Sequence, residues 1–422
     1  MKDVTYLPRI IDRELNMLLQ LAGAVQIKGP KWCGKTMTGE NHCASKIFLQ
    51  DPDYSADYLA LADIKPSQLL EGEKPRLIDE WQMAPQLWDA VRIAVDRSSE
   101  RGSFILTASS TPTVTPAHSG VGRIARLDMR TMSLFETGES NGAVSLAALF
   151  EKSTDIAALS SLDINDIAHA VCRGGWPEAI TIGAPKLALR LASLYVDELI
   201  DSDVSRMDGV SRNSTRMRAL MRSYARNIST EASTTTIQAD MQESEATLSY
   251  NTVNDYLDAL SRAYVIEDVS AWNPSLRSKT AIRTSSTRHF TDPSIAVALL
   301  GLSPEKLLLD FATFGLLFES LCVHDLRIYA RALDGELYHY RDKTGLESDA
   351  VIVLRDGRWA AVEVKLGQKD VDEGARHLLA LRDRVDTSKL GEPEFLMIIT
   401  GTQTAYQRPD GVFLVPLGCL KP

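Results

Sequence analysis

The stretch Gly29-Pro-Lys-Trp-Cys-Gly-Lys-Thr36 constrains this chain more than any other. Gly29, Gly34, Lys35 and Thr36 fill every fixed position of the pattern GxxxxGK[ST]. Such a loop functions only between a strand and a helix, because its backbone N–H groups must converge on a phosphate chain with a helix N-terminus behind them. The flanks supply both. Gly23-Ala-Val-Gln-Ile-Lys28 reads as a strand, and Thr36 opens a helical pattern. The implied ligand is a nucleoside triphosphate with Mg²⁺. Gly29, Pro30, Lys31, Trp32, Cys33, Gly34, Lys35 and Thr36 would surround it, with Lys35 on the β- and γ-phosphates and the Thr36 hydroxyl on the metal.

Short apolar runs alternate with helical patterns between residues 10 and 150, the signature of a parallel sheet with helices on both faces. An amphipathic helix is expected over 11–21. Strands are expected at 23–28, 46–50, 76–80, 103–107 and 124–129. The third ends in Asp79-Glu80. Two acids at the carboxyl end of a buried strand need a cationic partner. Mg²⁺ held by Thr36 and Asp79 supplies one, and Glu80 then orients and polarises the attacking water. The fourth strand leads into Ser109-Ser110, and Ser109 or Ser110 is placed to read the γ-phosphate or the water. A glycine-flexed segment then presents Arg123, with Arg126 in the following strand. Either is a candidate arginine finger, in cis or from a neighbouring subunit.

Composition narrows the class. At 422 residues the chain should hold two to four domains. A net charge of −10 gives no global argument for nucleic-acid binding. Five scattered cysteines without CxxC spacing argue against a zinc site or a disulfide framework. No signal-peptide pattern or long apolar run is present, so a cytoplasmic protein without a membrane span is expected.

These motifs together resemble the bacterial and archaeal AAA-type ATPases that carry a C-terminal DUF4143 domain. The matching stretches are Tyr6–Asp12, the phosphate loop, Leu77–Trp81, Phe104–Ser110, Ser119–Ile124, Met132–Glu136 and Arg173–Glu178. The resemblance implies ATP as the nucleotide and a homo-oligomer. It also implies a helical lid over the nucleotide within 151–205, from which Arg173 could reach a phosphate.

Between 205 and 227 six arginines (206, 212, 216, 218, 222 and 226) oppose a single acid, Asp208. Arg218, Arg222 and Arg226 share a helix face. Helices are expected at 234–241 and 250–263, a strand at 265–269, and a basic hairpin over 275–289 with Arg277, Lys279, Arg283 and Arg288. That order describes a winged helix-turn-helix, placing Tyr250, Asn251, Thr252 and Asn254 near a DNA groove. Further on, a helix over 311–327 carries Glu319. Strands at 336–340, 349–354 and 359–365 follow, and Asp349 can pair across the turn to approach Glu363. Glu319, Asp349, Glu363 and Lys365 resemble the PD-(D/E)xK nuclease pattern, in which carboxylates such as Asp349 and Glu363 hold Mg²⁺ and the lysine positions charge.

The expected fold is therefore α/β. A P-loop AAA-like core spans 1–150, a helical lid 151–205, a winged helix 206–300 and a nuclease-like α/β domain 301–422. The expected activity is ATP hydrolysis directed at DNA. The alternative is a nucleotide-dependent switch that binds protein partners and carries an inactive nuclease-like domain.

Overall fold

A computed structural model describes residues 5–112, 118–152, 156–203, 212–243, 248–274 and 285–422. The chain divides into two compact units. The first contains the residues up to Thr131 together with Leu260–Val265. Its elements are α1 (Ile11–Leu21), β1 (Ala24–Lys28), α2 (Lys35–His42), β2 (Ser45–Phe48), α3 (Ser55–Ile64), β3 (Arg76–Asp79), α4 (Gln86–Ser98), β4 (Phe104–Ala108) and β5 (Ile124–Asp128). The strands form one sheet in the order β2-β3-β4-β1-β5. All its pairings are parallel.

Both faces of this sheet are covered, which is why its strands read as unbroken apolar runs. Leu15 of α1 packs with Val25, Ile27, Ile105 and Leu127 on one face. Trp88 and Val91 of α4 pack with Ala24, Ile78 and Leu106 on the other. With every strand running the same way, the carboxyl ends of β1, β3 and β4 lie side by side. The phosphate loop, Asp79 and Thr107 are thereby brought to one edge.

The second unit opens with β6 (Val144–Ser145), α5 (Leu146–Phe150) and β7 (Ala157–Leu159). Short helices follow: α6 (Ile164–Arg173), α7 (Pro177–Thr181), α8 (Pro185–Ala188) and α9 (Leu191–Glu198). Next come α10 (Ser214–Arg226), α11 (Thr234–Glu243), α12 (Tyr250–Arg262), α13 (Pro293–Leu300), α14 (Pro304–Leu307) and the long α15 (Phe311–Ala332). The chain closes with β8 (Gly335–Arg341), β9 (Glu347–Leu354), β10 (Trp359–Lys365), α16 (Val371–Arg384), β11 (Leu396–Thr400), β12 (Thr404–Gln407), β13 (Phe413–Pro416) and β14 (Leu420–Lys421).

The second sheet runs β7-β12-β13-β11-β10-β9-β8. Strands β8, β9 and β10 form an antiparallel meander, and β11 and β13 extend it in parallel. Strand β7 pairs with β12. Strand β6 lies outside this sheet, in a two-stranded sheet with β14. Strands β6 and β7, on either side of the boundary expected at 150, thus both pair with strands near the far end of the chain. Helices α6, α9 and α10 all pack on the apolar α13, so the expected lid segment and the first basic helix share one helical layer.

The three helices of the expected winged helix are present. The strand expected at 265–269 reduces to isolated antiparallel bridges, Ile266 with Phe290 and Val269 with Thr287. Arg206, Asp208, Arg277, Lys279 and Arg283 lie outside the described residues. Among the described residues no helix is long and apolar enough to cross a membrane.

Helix α15 is anchored by a buried acid. Asp325 Oδ2 accepts hydrogen bonds from Leu134 N–H at 3.0 Å and from the Tyr329 hydroxyl at 3.2 Å, and Oδ1 lies 2.9 Å from His324 Nδ1. Asp325→Ala should cost about 2–4 kcal/mol, because it strands a buried N–H as well as a hydroxyl. The urea midpoint of the second unit's transition reads this directly.

Candidate functional site

The phosphate loop leaves the end of β1 under tight constraint. A Cβ on Gly29 would fall 2.0 Å from the Met129 carbonyl oxygen. Gly34 has φ 103°, a left-handed conformation that glycine adopts without strain. Lys35 is buried, and its Nζ donates to the Pro30 carbonyl at 2.7 Å. Lys31 and Trp32 are exposed. Cys33 is buried, with Sγ 3.7 Å from Met129 O, so its role is packing.

The N-terminal segment braces this loop. Arg9 Nη1 donates to Cys33 O at 2.9 Å and Nη2 to Arg130 O at 2.8 Å. Tyr6 bonds Asp12 and meets Thr38 of α2 at 3.2 Å. Sequence reasoning picked out Tyr6–Asp12 only as part of the family resemblance. Nothing local in the pattern marks Arg9 as a brace.

Asp79 is fully buried at the end of β3. Its Oδ1 accepts from Thr36 Oγ1 at 2.8 Å and from Thr107 Oγ1 at 2.7 Å. Its Oδ2 is buried without a hydrogen-bond partner. Burial pushes this carboxyl above the usual range, against the hydrogen bonds from Thr107 and Thr36. A buried bare carboxylate oxygen beside a threonine hydroxyl is a donor set that suits a hard cation such as Mg²⁺.

Glu80 follows in a left-handed conformation, φ 56°. Its N–H donates to Thr107 Oγ1 at 3.0 Å, so one hydroxyl ties both acids together. Its Oε2 accepts from Ser109 Oγ at 2.6 Å and from Gln82 Nε2. Of the two candidate serines, Ser109 touches the acid and Ser110 stands outside this network. Thr107 and Gln82 were not expected.

The arginine candidates fall elsewhere. Register pairs Ala24 with Ile124 and Lys28 with Asp128, so Arg123 precedes the amino-terminal end of β5. The phosphate loop leaves the opposite edge, about 13 Å away along the strand. Arg123 Nε donates to Asp96 at 2.6 Å. Arg126 is mid-strand, over the Trp88 ring at 5.8 Å. Neither makes a hydrogen bond or ion pair to the phosphate loop among the described residues. Arg173 is buried in a two-pronged pair with Glu139, at 2.8 and 2.7 Å.

In the second unit, β9 and β10 pair Ala350 with Val362, which sets Asp349 opposite Glu363. Asp349 Oδ2 accepts from Val364 N–H at 2.7 Å. Glu363 is fully buried; its Oε2 lies 2.8 Å from Lys365 Nζ, and its Oε1 has no hydrogen-bond partner. Burial and then the Asp349 charge push both Glu319 and Glu363 well above the usual range. Burial works against the Lys365 ammonium, but Glu363 and Asp349 outweigh it and hold its pKa up. All four expected residues thus interact. Glu347 adds its charge to the same group and His377 acts on Asp349. Period-two spacing from Asp349 would have found Glu347.

The bare Glu363 Oε1 beside Asp349 suits one end of a cation. Among the described residues, however, no three His, Cys, Asp or Glu side chains are arranged to hold a metal ion. The resting arrangement is two carboxylates closed on an ammonium.

The basic face of α10 is partly neutralised. Arg218 pairs with Asp197 at 2.7 Å and Arg226 with Asp240 at 2.6 Å. Arg212 is buried over the Tyr256 ring, and Arg288 bonds Asp268 at 2.5 Å. Arg216 and Arg222 are exposed, as are Tyr250 and Asn251 at the start of α12, while Thr252 and Asn254 are half-buried.

A parallel sheet with this loop and acid pair defines a P-loop ATPase-like domain. Residues 22–138 match the family described as AAA domain, and residues 314–420 match the domain of unknown function DUF4143. The chain thus joins an AAA-type ATPase-like domain to a C-terminal DUF4143 domain. Residues 164–306 match a further domain of unknown function, DUF8612, which spans the boundary expected at 205. Uncharacterized proteins of Mycobacterium tuberculosis and Mycobacterium bovis are each 23% identical over 358 residues, covering 83% of this chain and 72% of theirs. A solved Walker-type ATPase of Pyrococcus abyssi is 13% identical, with a TM-score of 0.42, covering 68% of this chain and 94% of that one.

The acidic group in the second unit has a stability signature. Glu319 titrates well above its ordinary value of 4.5 in the fold. The folded chain therefore keeps a proton that the unfolded chain has lost, and stability falls as pH rises from that ordinary value toward the raised one. Glu319→Gln should melt about 2–4 °C above wild type at neutral pH, with the gap closing as pH drops below about 4.5. Calorimetry across pH measures it.

Proposed function

We propose that the chain binds ATP with Mg²⁺ at Gly29–Thr36, hydrolyses it, and acts on DNA through the 206–300 winged helix and the 301–422 nuclease-like region. The observation carrying the ATPase part is the convergence of Thr36, the bare Asp79 Oδ2 and Glu80 beside the loop. Lys35 would exchange the Pro30 carbonyl for phosphate oxygens, losing one hydrogen bond and gaining a charge-assisted one. Thr36 and Asp79 would hold Mg²⁺, which would neutralise charge on the β- and γ-phosphates. Glu80, fixed by Thr107 and Ser109, would take a proton from the attacking water. If a finger operates, Arg123 or Arg126 would serve a neighbouring copy of a homo-oligomer.

What supports the nuclease-like reading is the Glu319–Asp349–Glu363–Lys365 group in its expected order. Asp349 and Glu363 would hold a divalent cation, which would supply Lewis acidity at a phosphodiester. Lys365 would swing from Glu363 to the developing negative charge. Exposed Arg216, Arg222 and Tyr250 would support DNA contact. The Arg218–Asp197 and Arg226–Asp240 pairs favour a second reading, a nucleotide-dependent switch with protein partners, because they remove charge from the same face.

Lys35→Ala should abolish ATP binding. Glu80→Gln should bind ATP yet turn over at least about 100-fold more slowly; normal turnover in that variant refutes the assignment. For the DNA arm, ATPase rate against linear, junction and single-stranded DNA at two salt concentrations is the measurement. Stimulation that fades with salt supports it. Absence of stimulation favours the switch. No cleavage of any of these DNAs with Mg²⁺ or Mn²⁺ rules out the nuclease.

A further inference from the structure

Gln82 has no part in the reading above, yet its amide is tied on one side only. Its Nε2 donates to Glu80 Oε2 and to Ser109 Oγ, the latter at 3.3 Å. Its Oε1 is buried and has no hydrogen-bond partner among the described residues. A bare buried acceptor costs about 1–3 kcal/mol. Turning the amide over gives no relief. The oxygen would then face Glu80 Oε2, an acceptor, and Ser109 Oγ, whose proton already goes to Glu80 at 2.6 Å. The amide is fixed in this sense, and its oxygen has no donor among the described residues.

Glu80 presents the matching half. Its Oε2 is taken by Gln82, by the Ser109 hydroxyl and, at 3.4 Å, by the Ser109 N–H. Its Oε1 makes no hydrogen bond to the described residues. Both side chains rise from one tight turn, Glu80 with φ 56° and the single 3₁₀ turn Trp81–Met83. Trp81 is buried and locks that turn against Trp88, with ring centres 4.8 Å apart. Two unfilled acceptors on one rigid turn match the two protons of a water molecule.

We propose that Gln82 is a second water-holding residue of the ATPase site, its Oε1 accepting one proton of the attacking water while Glu80 Oε1 accepts the other. The inference rests on the reading of this site as ATP-hydrolysing. With both protons engaged, a lone pair of the water oxygen is left for the γ-phosphorus. That oxygen bonds phosphorus as the bond to the β,γ-bridging oxygen breaks. The bridging oxygen leaves with the electron pair on ADP, and one water proton passes to Glu80. Gln82 exchanges no proton; it fixes direction.

Gln82→Met, close in volume and without the acceptor, is the test in the full-length chain. Turnover, ATP affinity by titration with a fluorescent ATP analogue, and melting temperature are measured together. The expected result is a kcat at least about tenfold lower, with affinity within about twofold and melting unchanged. Wild-type kcat in Gln82→Met overturns the role of Gln82 alone. A wild-type protein that binds ATP and does not turn it over overturns the ATPase reading and this one with it. Should Gln82→Met melt early, Gln82→Asn decides, since it keeps the amide and withdraws it by one methylene. Lost kcat at full affinity then supports the role, and full kcat refutes it.

Discussion

A deeply buried carboxylate sets the terms for the first unit. Asp79 is fully buried, and burial alone would favour its neutral form. Two threonine hydroxyls on Oδ1 hold it in place, one from the phosphate-loop helix and one from β4. This is possible because β4 lies between β1 and β3, which puts Thr107 within reach of both the loop and the acids. The same hydroxyl accepts the Glu80 N–H. One buried charge therefore fixes the backbone turn that aims Glu80, and the turn in turn places Gln82 and Ser109.

The second unit solves the same problem differently. Glu363 is as deeply buried as Asp79, but its compensating cation is built in, as Lys365. An internal ammonium makes the closed state comfortable without any ligand. Asp79 has no such partner on Oδ2 among the described residues. The two acid groups thus differ in how they rest. The first holds a buried oxygen without a donor among the described residues, and the second is closed on Lys365.

Much of this was legible because the features involved are local. Buried parallel strands are continuous apolar runs, so all five strands of the first sheet were found within two residues of their observed bounds. The hairpin of β9 and β10 brings Asp349 to Glu363 through a short turn, and its register follows from alternation. What failed was non-local. A glycine-rich segment announces that Arg123 is presented, but not at which end of the sheet. Only the pairing of β5 with β1 decides that. Strands β6 and β7 gave no sign in their sequence that their partners are β14 and β12. Gln82 was missed for another reason: a lone glutamine after two acids forms no pattern, and its meaning lies in an oxygen left bare.

The arginines of α10 show how spacing and charge can part company. Their periodicity correctly put Arg218, Arg222 and Arg226 on a helix. The acids that answer two of them come from α9, which packs on α13 beside α10, and from α11, which packs on α10 itself. Exposed pairs of this kind hold each partner only weakly. A phosphate could displace Asp197 or Asp240, but it must first break an existing pair, so each such contact releases less free energy than one made by a free arginine. The face is therefore less basic than its sequence, and among the described residues Arg216 and Arg222 make no ion pair.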